Sequence, residues 1–452
     1  MLDHFSQMGL FSTHSASLLV FIFVLAHAVP ENPRVLVLLD DPKIEQTHSI
    51  YLKSLKDRGF VLTIKKADDP SLALIKFGEF LYDHVIVLAP KVEEFGGSLS
   101  AEELAKFVDG GGNVLVTGDS KIGDALRDFA LEVGFEFGTE GTFVIDHFNY
   151  DARLDDGTHT ALVVPKTQLI DAELIAGKKL SPLLYKGIAL TYNTENPLRL
   201  SVLTGTLTSY NFNPKQKINE YPQAIGQNTV LVGAVQARNN ARVVLTGSLA
   251  LFSDEYINAQ IQKNGANQKP EKSGNAEFIT AITKWVLKEN GVLRVKSVKH
   301  SKVGETTAPR EYTITEDVKY EIEIEELKDG KWAPFQAKDV QLEFVRIDPF
   351  VRTTLNNKNG KLSTQFKLPD VYGVFKFLVD YNRVGYTHLY DVKQVVVRPF
   401  EHTQYERFLP AAYPYYVSSF SMMVGVVLFS FVFLYHKEQS KETTGQDTKK
   451  TK

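Results

Sequence analysis

Hydrophobic and polar positions divide the chain into distinct regimes. Between residues 34 and 290, short apolar runs alternate with stretches of helical period. Arg34–Leu39 (RVLVLL) and His84–Leu88 (HVIVL) are near-continuous apolar runs, as expected of strands covered on both faces. Thr47–Arg58, with Ile50, Leu52 and Leu55 apolar, predicts a helix capped by Gly59. Phe60–Ile64 predicts a strand and Leu72–Phe80 a short helix. Ser98-Leu-Ser-Ala-Glu-Glu103 is a capped helix start, with Leu104, Phe107 and Val108 as its apolar stripe. Asn113–Thr117 is then a strand and Ile122–Phe129 the start of another helix. Arg242–Asp254 (RVVLTGSLALFSD) echoes Asn113–Ser120 (NVLVTGDS). The echo suggests two strands of one sheet, each ending in a turn that feeds a helix. Ala276–Glu289, apolar at Phe278, Ile279, Ile282, Trp285 and Val286, closes the region, and Gly291 ends it. This alternation implies an α/β domain over 33–290 with a parallel sheet.

From 295 to 398 the period changes to two. Tyr320-Glu-Ile-Glu-Ile-Glu alternates strictly, and Lys328-Asp329-Gly330 makes a turn. Val340–Phe344, Leu362–Leu368, Tyr372–Val379 and Val392–Val397 repeat the pattern. Short strands at this spacing predict a β-sandwich domain. Residues 399–414 are its juxtamembrane linker. Tyr415–Tyr435 then runs without a charge, long enough for a helix across a hydrocarbon core of ~30 Å. Tyrosines flank it, and the tail 436–452 is rich in lysine, so the positive-inside rule makes that tail cytosolic. At the other end, the apolar run Ser17–Ala26 precedes Ala26-His27-Ala28. This predicts a cleaved signal peptide over 1–28, although no Lys or Arg precedes the run. The expected topology is single-pass type I with both domains lumenal. Lys449 and Lys450, in the terminal Lys-Lys-Thr-Lys, form a dilysine retrieval signal read by coat proteins. The lumenal region carries no Asn-x-Ser/Thr sequon.

Composition narrows the chemistry. There is no cysteine, hence no thiol nucleophile, disulfide or thiolate metal site. A net charge of -3 gives no indication of a nucleic-acid partner. The stretch GGGNVLVTGDS (110–120) has glycines like a phosphate cradle, but they follow a helix and precede a strand. A phosphate loop has the reverse order. Asp40 and Asp41 follow the first strand, where ligands of open α/β sheets bind. They are weak candidates for a lumenal ligand or divalent cation, and turn chemistry before Pro42 is the stronger reading. Asp146, His147, Asp151, Asp155, Asp156 and His159 form the most metal-like clump. Their spacing fits no common ligand frame, and a solvated loop is the stronger reading. Ser98, Ser120 and Ser248 lie outside any G-x-S-x-G elbow. No catalytic, cofactor-binding or metal residue is assigned, and no cofactor is expected. In the membrane segment Ser418, Ser421 and Gly425 share one helical face, a packing face for a neighbouring helix. Serines there can also bond their own backbone.

Two stretches carry a specific resemblance: YGVFKFLVDYNRVGYTHL (372–389) and VVVRPFEHTQYERFLPAAYPYY (395–416). With VLVLLD (35–40), GGGNVLVTGDS and the dilysine end, they resemble the 48-kilodalton, non-catalytic subunit family of the endoplasmic reticulum oligosaccharyltransferase. The resemblance extends along the whole chain. It implies an amidotransferase-like (Rossmann-like) α/β domain without its nucleophile, then the β-sandwich and one C-terminal transmembrane helix. It implies membership of a complex that moves a preassembled glycan from dolichyl diphosphate to Asn in Asn-x-Ser/Thr. Implied partners are a polytopic catalytic subunit, ribophorin-type subunits and a small multispanning subunit. Dolichol-linked oligosaccharide is a conceivable ligand of the α/β domain, with no binding residues to carry over. Two alternatives stand beside this reading: a glycan-binding cargo receptor of the early secretory pathway, and a lumenal hydrolase or transferase using Asp40 and Asp41.

Overall fold

The structure is a computed structural model that describes residues 32–178, 181–192, 196–265, 271–406 and 409–437. The signal segment 1–28, Lys449 and Lys450 lie outside the described residues.

The apolar runs become the strands of one sheet because each buries side chains on both faces. The α/β part is built from β1 (Arg34–Leu39), α1 (Ser49–Asp57), β2 (Val61–Lys66), β3 (His84–Leu88), α2 (Ala101–Asp109), β4 (Asn113–Thr117) and α3 (Asp124–Val133). It continues with β5 (Phe135–Phe137), β6 (Leu190–Tyr192), β7 (Arg199–Thr204), β8 (Val230–Gln236), β9 (Arg242–Thr246) and α4 (Asn275–Val286). The nine-stranded sheet has the order β2-β1-β3-β4-β9-β8-β6-β5, with β7 also paired to β8. Strand β1 shows the layering. Val35, Val37 and Leu39 join a cluster with Tyr51, Leu52 and Leu55 of α1 and Phe278, Ile282 and Trp285 of α4. Leu36 and Leu38 face the other way, toward Leu104 and Phe107 of α2 and Leu126 and Phe129 of α3. Each large apolar side chain so buried contributes roughly 1.5–3 kcal/mol.

The echoed segments are adjacent in space. β4 and β9 pair in parallel, Val114 against Val243 through Thr117 against Thr246. The glycines before β4 are scaffolding. Gly111 has φ +97°, and a Cβ on Gly110 would meet the Phe80 ring at 2.1 Å.

Three expectations are corrected. The sheet is mixed rather than parallel: β8 runs antiparallel to β9, and β6 and β7 run antiparallel to β8. Leu72–Phe80 contains a hairpin, Ile75–Lys76 against Glu79–Phe80, instead of a helix. Phe77 (φ 54°) and Gly78 (φ 82°) both have positive φ at its tip, the geometry that two-residue hairpins favour. The helix expected over Thr47–Arg58 is interrupted at His48, with Lys43–Thr47 a separate short helix. The cap of α2 is Ser100, whose Oγ accepts from the Glu103 N–H at 3.1 Å.

The C-terminal part is sheet-rich. One five-stranded sheet contains β10 (Val292–Lys302), β11 (Asp317–Lys328) and β14 (Lys361–Lys367). The other contains β12 (Gln341–Val345), β13 (Pro349–Thr354), β15 (Gly373–Tyr381) and β16 (Leu389–Arg398). Both contribute to one apolar cluster, including Tyr320 and Ile322 of the first sheet and Phe344, Phe375 and Phe377 of the second. Their outward positions carry ion pairs such as Arg352 with Glu343 at 2.7 Å. Helix α5 (Tyr413–Tyr435) follows. It is long and apolar enough to cross a membrane, and none of its length is covered by the rest of the described chain.

Candidate functional site

In an open α/β sheet, ligands gather at the carboxyl ends of the strands where the chain order reverses. Here β1 lies between β2 and β3, so the reversal falls at the β1/β3 boundary. Asp40 and Asp41 follow β1 at that edge. The structure gives them separate local tasks. Asp40 Oδ2 accepts from the Lys91 N–H, just beyond β3, at 2.9 Å. Burial pushes the Asp40 carboxyl above its ordinary value, and the Asp119 and Asp41 charges add to the rise. Asp41 is exposed, and its Oδ1 accepts from the Lys43 N–H at 3.0 Å, a turn of the Asx type. The pair ties loops together and does not form a common chelating site.

Two of the candidate serines also have their hydroxyls engaged. Ser248 is fully buried, donates to the Lys186 carbonyl at 2.6 Å and accepts from the Leu251 N–H at 3.1 Å. Ser98 donates to the Leu72 carbonyl at 3.4 Å. Ser120 is buried, and its backbone N–H binds Asp119. Among the described residues no serine hydroxyl contacts a histidine ring, so no serine–histidine pair is assembled. His84 is buried against Asn113, and burial pushes its imidazole down to about 4.

The acidic-histidine segment folds into tight loops. Asp146 accepts from the backbone N–H groups of Phe148 and Asn149, the Asn149 amide, and the hydroxyls of Thr206 and Thr208. Those donors hold its carboxyl below the ordinary range against the upward push of burial. Asp151 is fully buried and accepts from the N–H groups of Arg153, Leu154 and Gln262. Asp155 accepts from those of Gly157, His159, Thr160 and Ala161. Among the described residues no three of these side chains converge on a point suited to a metal ion. The two histidines do meet: His147 Nδ1 lies 2.6 Å from His159 Nδ1. The sequence spacing gave no sign of that contact. Beside it opens a shallow cleft of about 510 Å³, lined in part by Tyr210, Ile218, Tyr221 and Ile225.

Arg242, at the start of β9, also escaped the sequence reading. It is fully buried. Its Nη1 donates to the carbonyls of Trp285 (2.7 Å) and Asn290 (2.8 Å), and its Nη2 to those of Gly291 (2.9 Å) and Gly385 (3.2 Å). Trp285 Nε1 donates to the same Gly385 carbonyl at 3.0 Å. Gly385 belongs to the turn between β15 and β16, so this cluster joins the two domains. Gln236 Nε2 to the Tyr386 carbonyl (2.8 Å) and the His388 N–H to Asn240 Oδ1 (2.7 Å) extend the joint. The available signal was a charge opening an otherwise apolar strand. Burial pushes the guanidinium down to about 9, so it stays charged at neutral pH.

In α5, Ser418 Oγ donates to the Tyr415 carbonyl at 2.9 Å and Ser421 Oγ to the Ser418 carbonyl at 2.8 Å. A Cβ on Gly425 would meet nothing. The face is small and leaves no serine hydroxyl without an acceptor.

Comparison with known proteins matches most of the chain. Family models described as the OST48 N-terminal domain and the OST48 middle domain match residues 26–289 and 300–437. A Caenorhabditis elegans protein named dolichyl-diphosphooligosaccharide–protein glycosyltransferase 48 kDa subunit is 61% identical, over 90% of this chain and 92% of its own. Proteins of the same name from Danio rerio and Drosophila melanogaster are 54% and 53% identical, covering 97% and 96% of this chain and 98% and 99% of theirs. Among solved structures, a carbohydrate deacetylase aligns with a TM-score of 0.32 at 10% identity, over 63% of this chain and 34% of that one, too distant to carry an argument. On these matches the chain belongs to the OST48 family, that of the 48 kDa subunit of dolichyl-diphosphooligosaccharide–protein glycosyltransferase.

Proposed function

We propose that this chain is a non-catalytic, assembly-stabilising subunit of the oligosaccharyltransferase complex of the endoplasmic reticulum membrane. That complex transfers a preassembled glycan from dolichyl diphosphate to Asn in Asn-x-Ser/Thr of nascent proteins. The observation that carries the subunit role is the 61% identity to a named 48 kDa subunit across nine-tenths of the chain. The non-catalytic part rests on the use made of the polar groups. At the sheet edge and in the 146–159 segment, the carboxylates and hydroxyls close loops instead of facing a shared substrate position. In this reading the α/β domain keeps an amidotransferase-like outline as a docking body. Both domains lie in the lumen, on a single-pass type I anchor, and the dilysine tail at Lys449 and Lys450 returns the chain to the endoplasmic reticulum.

The membrane helix supplies the means of assembly. Without a hydrophobic drive between helices in lipid, close approach depends on small residues. Ser418, Ser421 and Gly425 present such a face, and the serine hydroxyls are already bonded to the helix backbone. Its neighbours are the polytopic catalytic subunit, the ribophorin-type subunits and the small multispanning subunit. The test is purification in mild detergent from cells in which a Ser418→Leu/Ser421→Leu/Gly425→Leu variant replaces the native chain. Partner subunits are expected to be lost from the purified material and N-glycan occupancy to fall, while Asp40→Asn changes neither. Recovery of the native chain alone or with transported cargo would favour a receptor. Loss of glycan occupancy in Asp40→Asn with the complex intact would favour a catalytic role.

A further inference from the structure

The contact between His147 and His159 has no part in the assembly role, and it is an unusual thing to build on a surface. The two imidazoles come from separate loops. His147 follows the strand Phe143–Ile145, which pairs with Tyr210–Phe212. His159 comes from the turn whose backbone N–H groups converge on Asp155. Their ring planes stand at 88° with centroids 4.8 Å apart, and the two Nδ1 atoms face each other at 2.6 Å. A neutral imidazole has one donor and one acceptor nitrogen. Such a contact therefore places two lone-pair directions on one small volume, with a single proton between them.

The surroundings hold that arrangement. His159 has φ 57°, a left-handed conformation that is unfavourable for a residue with a Cβ. Strain of this kind persists only where neighbours enforce it, and it concentrates at functional positions. Asp155 fixes the His159 backbone, and the Tyr150 ring stacks on the imidazole with centroids 4.2 Å apart. On the other ring, His147 Nε2 is hydrogen-bonded to the Tyr210 hydroxyl at 2.9 Å. A partner on the remote nitrogen is what orients a metal-ligating histidine and sets its tautomer. The nearby carboxylates of Asp146, Asp151 and Asp155 are committed to backbone, amide and hydroxyl donors, as described above, and that of Asp156 to Thr158 and Lys186. What the site offers is nitrogen, and nitrogen pairs select Zn²⁺, Cu²⁺ or Ni²⁺ over Ca²⁺ or Mg²⁺.

We propose that His147 and His159 form an open site for one divalent transition-metal ion such as Zn²⁺, bound through the two Nδ1 atoms, with water at the remaining positions. Two Zn–N bonds of ~2.0–2.1 Å at a tetrahedral angle put the nitrogens ~3.3 Å apart. The rings need to open by less than about 1 Å from their present contact, a small side-chain rotation. On binding, the ion takes the place of the proton between the rings, and the ring that carried it becomes the Nε2–H tautomer by exchange with solvent, so that both rings bind as neutral imidazoles with no net loss of a proton. His147 is exposed, so the ion is reachable, and a donor from another molecule can take a water position.

The test is a Zn²⁺ titration of the full chain in detergent against a chromogenic chelator, repeated with Co²⁺ to read the visible ligand-field bands. The native chain is expected to bind one more equivalent than His147→Ala or His159→Asn. Asparagine is chosen at 159 because it tolerates the left-handed conformation. Tyr210→Phe should keep the equivalent but weaken it by up to ~10–100-fold. Circular dichroism and the thermal midpoint identify any variant that has lost its fold, and His147→Gln then serves as the replacement. The proposal is overturned if folded variants bind as many equivalents as the native chain with equal affinity. It is equally overturned if the native chain takes up no Zn²⁺ at tens of micromolar, or if Ca²⁺ or Mg²⁺ competes at equal concentration.

Discussion

The chain has two tryptophans, and each carries an arginine on its ring. Arg294 lies 3.8 Å from the Trp332 centroid and Arg242 4.9 Å from that of Trp285. By distance alone the first is the better stack. Their surroundings reverse the ranking. The Arg294 side chain is 46% exposed and also pairs with Glu325 at 2.7 Å. Arg242 is fully buried and answers only to carbonyl oxygens. A cation over a ring is worth ~0.5–1 kcal/mol in water and more when desolvated, and an exposed ion pair adds ~0–1 kcal/mol. In the interior, the larger quantity is the loss of the four hydrogen bonds that the charged guanidinium gives to carbonyls. The same pair of side chains is decoration on the β domain and structure at the joint.

Three measurements break or sharpen this comparison. The largest effect is expected from Arg242→Met. It removes the charged donor from the carbonyls of Trp285, Asn290, Gly291 and Gly385, three of which keep a second, neutral donor, and should cost about 3–5 kcal/mol. Denaturant unfolding of the full chain reads this directly, with faster protease cleavage between 286 and 293 as a local sign. An unchanged midpoint would mean that Arg242 does not hold the joint. Next comes a pH effect confined to the α/β domain. His84 is kept neutral down to about 4, against 6.5 when unfolded. Below pH 6.5 the unfolded chain takes up a proton that the folded one refuses. Stability from this group is thus complete above 6.5 and lost as pH falls toward 4, by at most about 3 kcal/mol. His84→Gln should flatten that acid limb, and a limb of identical slope in the variant assigns it to other groups. The smallest effect is expected from Arg294→Met, below about 1 kcal/mol and shrinking further in high salt. A loss matching that of Arg242→Met would erase the distinction between the two stacks.

Legibility in the sequence followed the same division between local and distant causes. RVLVLL, HVIVL and NVLVT were readable as strands because burial on both faces leaves a continuous apolar run. The period-two strands of the β domain were readable because only one face is buried. The echo of Asn113–Ser120 in Arg242–Asp254 anticipated neighbouring strands, although nothing in it specified the direct pairing. The antiparallel half of the sheet was not readable. β5 and β6 span only Phe135–Phe137 and Leu190–Tyr192, and their pairing joins distant segments, which no local pattern records. The hairpin at Phe77-Gly78 was misread because an aromatic residue with positive φ is an uncommon turn former. The Asx turn at Asp41 was readable from the residue types before Pro42, whereas the bond from the Lys91 N–H to Asp40, 51 positions away, was not. His147 and His159 were noted as part of a cluster, but their facing nitrogens depend on backbone angles that residue spacing does not encode.

The carbonyl of Gly385 receives one hydrogen bond from a strand of the α/β domain and another from a helix of it. A joint held from two directions resists twisting as well as separation. A displacement of the β domain is therefore passed directly to the nine-stranded sheet, and the two shift as one piece instead of swivelling about the connecting chain.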